Sequence, residues 1–169
     1  DQLEVLLKSK SCLGVELPVK RIKESLYSSS IQEKLLNIEY QLLKDIHDVF
    51  LVGSTPVLYT TRGEINFNSI ETRMSFGIEL AEMMARLVSN LTPYLGYIIC
   101  KGGITTNTML ATAFDANIVY LKGQILPGLS LVCAKINSNY DIPIVTFPGN
   151  LGNDQTLLEA WEIMEDRSS

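Results

Sequence analysis

Leu3, Leu6 and Leu7 fall at helical spacing, so the chain opens on a helix within residues 1–10. A strand-like stretch follows over Cys12–Val19, with Pro18 marking an edge or an ending. A small, weakly patterned helix is expected over Lys20–Tyr27. Ser28, Ser29 and Ser30 form a loop, and Ser30 with Glu33 has the spacing of a capping box. Ile31, Leu35, Ile38, Leu42, Ile46 and Val49 then recur at three- and four-residue steps, which predicts an amphipathic helix with one buried face. Val57–Thr61 is apolar and β-branched, ends at Arg62-Gly63, and reads as a buried strand.

Asn68 with Glu71 offers a second capping box ahead of a long helix carried by Ile70, Met74, Ile78, Ala81, Ala85 and Val88. That helix should fade before Pro93. Gly96–Cys100 reads as another buried strand, ending abruptly at Lys101-Gly102-Gly103. Thr105–Phe114 suits a helix with Met109, Leu110, Ala113 and Phe114 inward. Asn117–Leu121, Ser130–Lys135 and Ile142–Phe147 are strands, and Asn153 caps a last helix striped by Leu157, Trp161 and Met164. Strands alternating with helices, and apolar along their length, argue for an α/β fold. The expected architecture is a mixed, largely parallel sheet with helices on both faces. The late strands, joined by turns, supply the mixed part.

Composition narrows the class. The 169 residues are 46% apolar, enough for one core and too few to favour two independent domains, so residues 1–169 are expected to be a single domain. Lys plus Arg number 14 against 19 Asp plus Glu, and a net charge of −5 disfavours nucleic acid as partner. No run approaches the ~20 apolar residues of a membrane helix, and no signal peptide opens the chain, so a cytoplasmic protein is expected. Cys12, Cys100 and Cys133 form no CxxC pair and meet no histidine cluster, so neither a disulfide framework nor a metal site is supported.

Two loops combine a strand end, glycines and a helix start, where open α/β sheets bind ligands. The first is Lys101–Thr108: Gly102 and Gly103 let backbone approach a ligand, the helix start offers N–H groups to phosphate, and Thr105 and Thr106 add hydroxyls. An ordinary tight turn with a threonine cap fits the same residues. The second is Thr146–Asp154, containing Gly149, Asn150 and Gly152; it lacks GK[ST] and the GxGxxG spacing. Pro148-Gly149 also suits a type II turn. If their strands are parallel neighbours, both loops face one edge and could hold two sides of one nucleotide. Arg62, at another strand end, could meet phosphate or be a surface arginine. The Pro127-Gly128 turn could line the same edge or only join strands. His47 has no nucleophile motif beside it, Met83, Met84 and Trp161 read as core, and Glu159, Glu162, Glu165 and Asp166 read as a solvated face. Asn90-Leu91-Thr92 is formally a glycosylation sequon, with Pro93 directly after it.

Gly-Gly-x-Thr after a strand, a later Pro-Gly turn, and Thr-x-x-Gly-Asn-x-Gly before the last helix resemble the C-terminal nucleotide-binding domain of the four-carbon acid sugar kinases. The order and spacing match over nearly the whole chain, down to the opening Gln-Leu-Glu and the Tyr-Thr-Thr-Arg strand end. The resemblance implies an ATP- and Mg²⁺-dependent kinase of tetronate-type acid sugars, whose N-terminal domain binds the sugar acid. It assigns Gly102, Gly103 and Thr105 to the nucleotide at the first loop and Gly149, Asn150 and Gly152 at the second, with Thr61 and Arg62 on a weaker strand-end pattern. Ile104 stands where the family usually has an acidic residue, and Phe147 where it usually has a lysine; Lys101 offers replacement charge. Those departures motivate an alternative: a non-catalytic nucleotide-sensing or structural module. A dinucleotide- or methyl-donor-binding domain is disfavoured, because no fingerprint glycine loop follows the first strand. On this reading the start at Asp1 is a cut through a longer two-domain chain, a homo-oligomer is compatible, and this part alone binds without turnover.

Overall fold

The computed structural model describes residues 1–60, 65–116, 118–137 and 140–168. They form α1 (Gln2–Leu6), β1 (Cys12–Leu17), α2 (Val19–Leu26), α3 (Ile31–Leu51), β2 (Thr55–Thr60), α4 (Ile70–Leu91), β3 (Ile98–Lys101), α5 (Gly103–Thr108), β4 (Val119–Leu126), β5 (Leu129–Asn137), β6 (Tyr140–Phe147) and α6 (Thr156–Ser168). A 3₁₀ turn at Thr92–Tyr94 follows α4, and a π-helical turn at Met109–Ala113 continues α5. The fold is α/β. Its residues divide into two compact units, one of residues 7–80 and one of residues 1–6 with 81–169.

In the unit of residues 7–80, β1 and β2 pair in parallel, from Cys12 opposite Thr55 to Leu17 opposite Thr60. The parallel pairing is made possible by the long connection through α2 and α3. Cys12, Val15 and Leu17 are buried from β1, and Ile38, Leu42, Ile46 and Val49 from α3. Those four are the expected stripe from its third member on; Ile31 is exposed and Leu35 half-buried. The Ser30–Glu33 capping box does not form: Ser30 makes no side-chain cap bond, and its N–H donates instead to Ser28 Oγ at 3.2 Å. β2 is only half-buried, as suits one strand of a two-stranded sheet. The start of α4 also differs. Its cap is Ser69 rather than Asn68, with the Thr72 N–H donating to Ser69 Oγ at 3.1 Å. Glu71 in that first turn is held below the usual carboxylate range by its own backbone N–H and by Ser69. Ile70, Met74 and Ile78 are exposed, because the first turns of α4 bury Phe76 instead, its ring 5.3 Å from that of Phe67.

The other unit holds a four-stranded sheet in the order β3-β6-β5-β4. β3 and β6 are parallel, while β4–β5 and β5–β6 are antiparallel. The direction of each pair follows its connection: a tight turn at Pro127-Gly128 can only return the chain antiparallel. The core joins Cys100, Val132, Ala134, Ile142 and Ile144 of the sheet to Met109 and Phe114 beyond α5. Ile142, Ile144 and Val145 have no exposure, and burying each such side chain contributes about 2 kcal/mol. On α6 the buried positions are Leu157, Ala160 and Met164, with Trp161 half-buried. Glu165 departs from the expected solvated face, since it accepts a hydrogen bond from the Tyr97 hydroxyl. Cys12, Cys100 and Cys133 are buried and form no disulfide among the described residues. Among the described residues no helix is long and apolar enough to cross a membrane.

Candidate functional site

The two glycine-bearing loops leave one edge of the four-stranded sheet side by side. Their strands, β3 and β6, are parallel neighbours whose last register pair is Lys101 opposite Phe147. The ladder extends one step into the loops, with the Gly102 N–H donating to the Phe147 carbonyl at 2.8 Å. A Cβ placed on Gly149 would meet Gly102 Cα at 3.9 Å. The loops therefore run side by side, close enough that a methyl on Gly149 would just reach the Gly102 backbone.

In the first loop Gly102 has φ 109° and ψ 136°, a conformation that L side chains rarely adopt. It turns the chain from β3 directly into α5. Its carbonyl accepts both the Thr106 N–H at 2.9 Å and the Thr106 hydroxyl at 2.7 Å, and that hydroxyl also lies 3.3 Å from the Cys100 carbonyl. Thr106 thus braces the turn from behind. The N–H groups of Gly103, Ile104 and Thr105 precede the first intrahelical bond and carry the positive end of the helix. Gly103 meets nothing within 4 Å at its Cβ position, and Thr105 is half-buried, its carbonyl accepting the Met109 N–H and its Oγ1 turned to the Gly102 side. Ile104 is 66% exposed. Cys100, behind the turn, has its thiol pushed up from the usual cysteine value by burial, with the Thr106 hydrogen bond opposing; it is a neutral packing group.

The second loop closes on a Pro148 carbonyl that accepts the Leu151 N–H at 3.2 Å. Gly152 follows at φ 80°. Asn153 then starts the last helix as its side chain suggested: Oδ1 accepts the Gln155 N–H at 2.8 Å, and the Asn153 N–H donates to Thr156 Oγ1 at 2.9 Å. Gly149, Asn150 and Gly152 are exposed. The Pro127-Gly128 turn belongs to the same neighbourhood, since a Cβ on Gly128 would lie 2.9 Å from Leu151 Cδ2.

Charge sits at the junction of the loops. Lys101 Nζ lies 4.0 Å above the centre of the Phe147 ring and 3.4 Å from the Pro148 carbonyl. Phe147 itself is buried to 1% exposure, beneath the Lys101 ammonium. Of the residues expected at the site, Gly102, Gly103, Thr105, Thr106, Gly149, Asn150 and Gly152 all lie on these two loops, whereas Thr61 and Arg62 lie outside the described residues. One contact was not legible in the sequence, although Gln2 belongs to the opening Gln-Leu-Glu of the resemblance: Gln2 of α1 donates from Nε2 to the carbonyls of Leu151 and Asn153, at 2.9 and 2.7 Å. Its partners are 149 and 151 residues away in the chain, and no local pattern signals them.

A surface of backbone N–H groups, Cβ-free glycines and one ammonium is suited to an anion, and phosphate fits it chemically. Residues 1–157 match the family described as the nucleotide-binding C-terminal domain. The chain belongs to this family. It is the family that the glycine loops resembled, the nucleotide-binding domain of the four-carbon acid sugar kinases. Among curated proteins none matches the chain significantly. Two crystal forms of a domain of unknown function (DUF1537) protein from Bordetella bronchiseptica, a domain-swapped dimer with bound citrate, share the fold of this nucleotide-binding domain. One has a TM-score of 0.69 at 18% identity and the other 0.58 at 19%, each over 96% of the chain. The chain spans 37% and 35% of the length of that protein's chain in the two forms.

Proposed function

We propose that the chain is the ATP-binding domain of a kinase that phosphorylates a four-carbon acid sugar. The observation that carries this reading is the contact between the two glycine loops at the ends of parallel strands, with Gly102 bonded to Phe147 O and Gly149 facing Gly102. The triphosphate lies along the N–H groups that open α5, with Gly102, Gly103 and Thr105 on one side and Thr106 bracing their turn through its hydroxyl on Gly102 O. Gly149, Asn150 and Gly152 flank it on the other, and Lys101 adds charge. Phosphoryl transfer is catalysed largely by positioning and charge neutralisation, which such a cradle supplies. Arg62 is proposed as a further phosphate ligand on the strength of the family pattern alone.

Mg²⁺ fits as a phosphate-held ion. Among the described residues no group of three or more His, Cys, Asp or Glu could hold a metal, so its ligands would come chiefly from the nucleotide. The acceptor hydroxyl and its base belong to an N-terminal sugar-binding domain, and the short share of the relatives' length supports a two-domain protein. The family match runs through both compact units, which supports their acting as one nucleotide-binding domain. A cytoplasmic location and self-association accompany this proposal. The non-catalytic sensing module remains a second reading, favoured by one observation: exposed Ile104 stands at the helix start where the family usually places a carboxylate.

Thermal unfolding with ATP or ADP, with and without Mg²⁺, tests both. Ligand at about 100 times its Kd adds roughly 2.7 kcal/mol of stability, a rise of about 5–10 °C for a chain of this size. A rise that Mg²⁺ enlarges supports the kinase domain. A rise indifferent to Mg²⁺ supports the sensing module, and no rise overturns nucleotide binding.

A further inference from the structure

The second glycine loop is held in shape by a residue from the far end of the sequence. Gln2 has one amide nitrogen with two hydrogens, and both are used: one on Leu151 O at 2.9 Å, the other on Asn153 O at 2.7 Å. These carbonyls bracket Gly152, whose φ of 80° sets the direction of the loop. The orientation of the amide follows from the partners, since two carbonyl oxygens can only be met by the nitrogen. The arrangement has a cost. Gln2 Oε1 is buried with no hydrogen-bond partner, and a buried unpaired acceptor is destabilising. A side chain chosen for stability alone would not carry that orphan oxygen. A methionine would fill similar space without it.

We propose that Gln2 is a positioning residue for nucleotide binding: it clamps the loop Gly149–Asn153 in the conformation that faces Gly102. This rests on the nucleotide reading of the site. α1 packs on α6, the helix that this loop leads into, so the clamp closes a circuit from helix to side chain to loop to helix. The circuit fixes the two carbonyls outward to Gln2 and leaves the loop's own face toward the first loop. No contact between Gln2 and the nucleotide is required. The effect reaches the phosphates through the loop, so it should discriminate ATP from adenosine.

The test compares the full chain with Gln2→Met and Gln2→Glu. Gln2→Met removes both donors and the orphan oxygen together; Gln2→Glu sets a carboxylate against two carbonyl oxygens. Calorimetric titration is run well below the unfolding midpoint, with ATP and with adenosine. Gln2→Met is expected to weaken ATP about tenfold, as the loss of two such bonds implies. Its adenosine affinity is expected to stay within twofold, and Gln2→Glu is expected to weaken ATP further. Amide exchange at Leu151 and Asn153, whose N–H groups are bonded to Pro148 O and Thr156 Oγ1, should quicken about tenfold in Gln2→Met by the same loss. Equal ATP affinity in parent and Gln2→Met overturns the clamp, as does an equal loss for ATP and adenosine, which marks a merely structural role. A parent that binds no ATP overturns the nucleotide reading instead. Exchange then decides the clamp by itself: unchanged rates overturn it, and faster rates at Leu151 and Asn153 support it.

Discussion

Replacing Gly152 with alanine strikes the second loop in two ways that can be weighed separately. The backbone there has φ 80°, so any Cβ meets the following carbonyl, at a cost of about 1–2 kcal/mol. The new methyl would also stand 2.6 Å from Thr156 Cβ and 2.7 Å from Thr156 Cγ2. Thr156 is buried and β-branched, so it cannot swing clear without moving the helix start. Its Oγ1 accepts the Asn153 N–H that closes the turn into α6, and displacing it forfeits about 1 kcal/mol of capping. The sum, about 2–3 kcal/mol, lowers the unfolding midpoint by roughly 5–10 °C for a chain of this length. Gly77→Ala is the control. Gly77 lies inside α4 with nothing within 4 Å of its Cβ position, so alanine there should stabilise by up to about 1 kcal/mol. Thermal and denaturant unfolding of both variants give the answer. A Gly152→Ala loss within about 0.5 kcal/mol, the ordinary range for a surface change, would refute the strain argument.

Three further perturbations separate stability from binding. Gly149→Ala sets a methyl 3.9 Å from Gly102 Cα, an ordinary contact, so unfolding should move by less than about 0.5 kcal/mol while ATP affinity falls; calorimetry with undiminished affinity would count against a ligand between the loops. Asn153→Ala removes the acceptor of the Gln155 N–H and should cost about 1 kcal/mol in denaturant unfolding. Cys100 is a pH probe: burial raises its folded pKa above the ordinary value of 9.0, so above that pH the unfolded chain releases a proton that the folded one keeps. Its stabilising term is whole below pH 9 and is lost as pH rises toward the raised value, so Cys100→Ala should show a shallower alkaline decline in stability than the parent.

The order of elements was legible in the sequence because apolar period and turn residues agree along most of it. Ile38, Leu42, Ile46 and Val49 repeat on one helical face and are buried together. Helix starts were less legible. Ser30 fits a capping pattern but makes no side-chain cap bond, and Ser69 serves in place of its neighbour Asn68, since adjacent small polar residues compete for the same N–H groups. The start of α4 misled because Ile70, Met74 and Ile78 have the right spacing, while a single aromatic contact, Phe76 on Phe67, sets which face is buried. At the site, both glycine loops were legible from strand end, glycine and helix start. Their adjacency depended on β3 and β6 pairing across an intervening hairpin, which no local pattern encodes. Thr106 was read as a hydroxyl on the ligand side, and its hydroxyl is bonded within the turn at Gly102 O. Gln2 belongs to the opening Gln-Leu-Glu of the resemblance, but its contacts were illegible for the same reason as the sheet order: its partners are distant in sequence.

The central claim is that one nucleotide lies between two glycine loops, and amide NMR reads it residue by residue. Titrating Mg-ATP into the ¹⁵N-labelled chain should shift the N–H signals of Gly102, Gly103, Thr105, Gly149 and Gly152 together, along one binding curve. Shifts confined to one loop, or to residues on neither, would contradict the account.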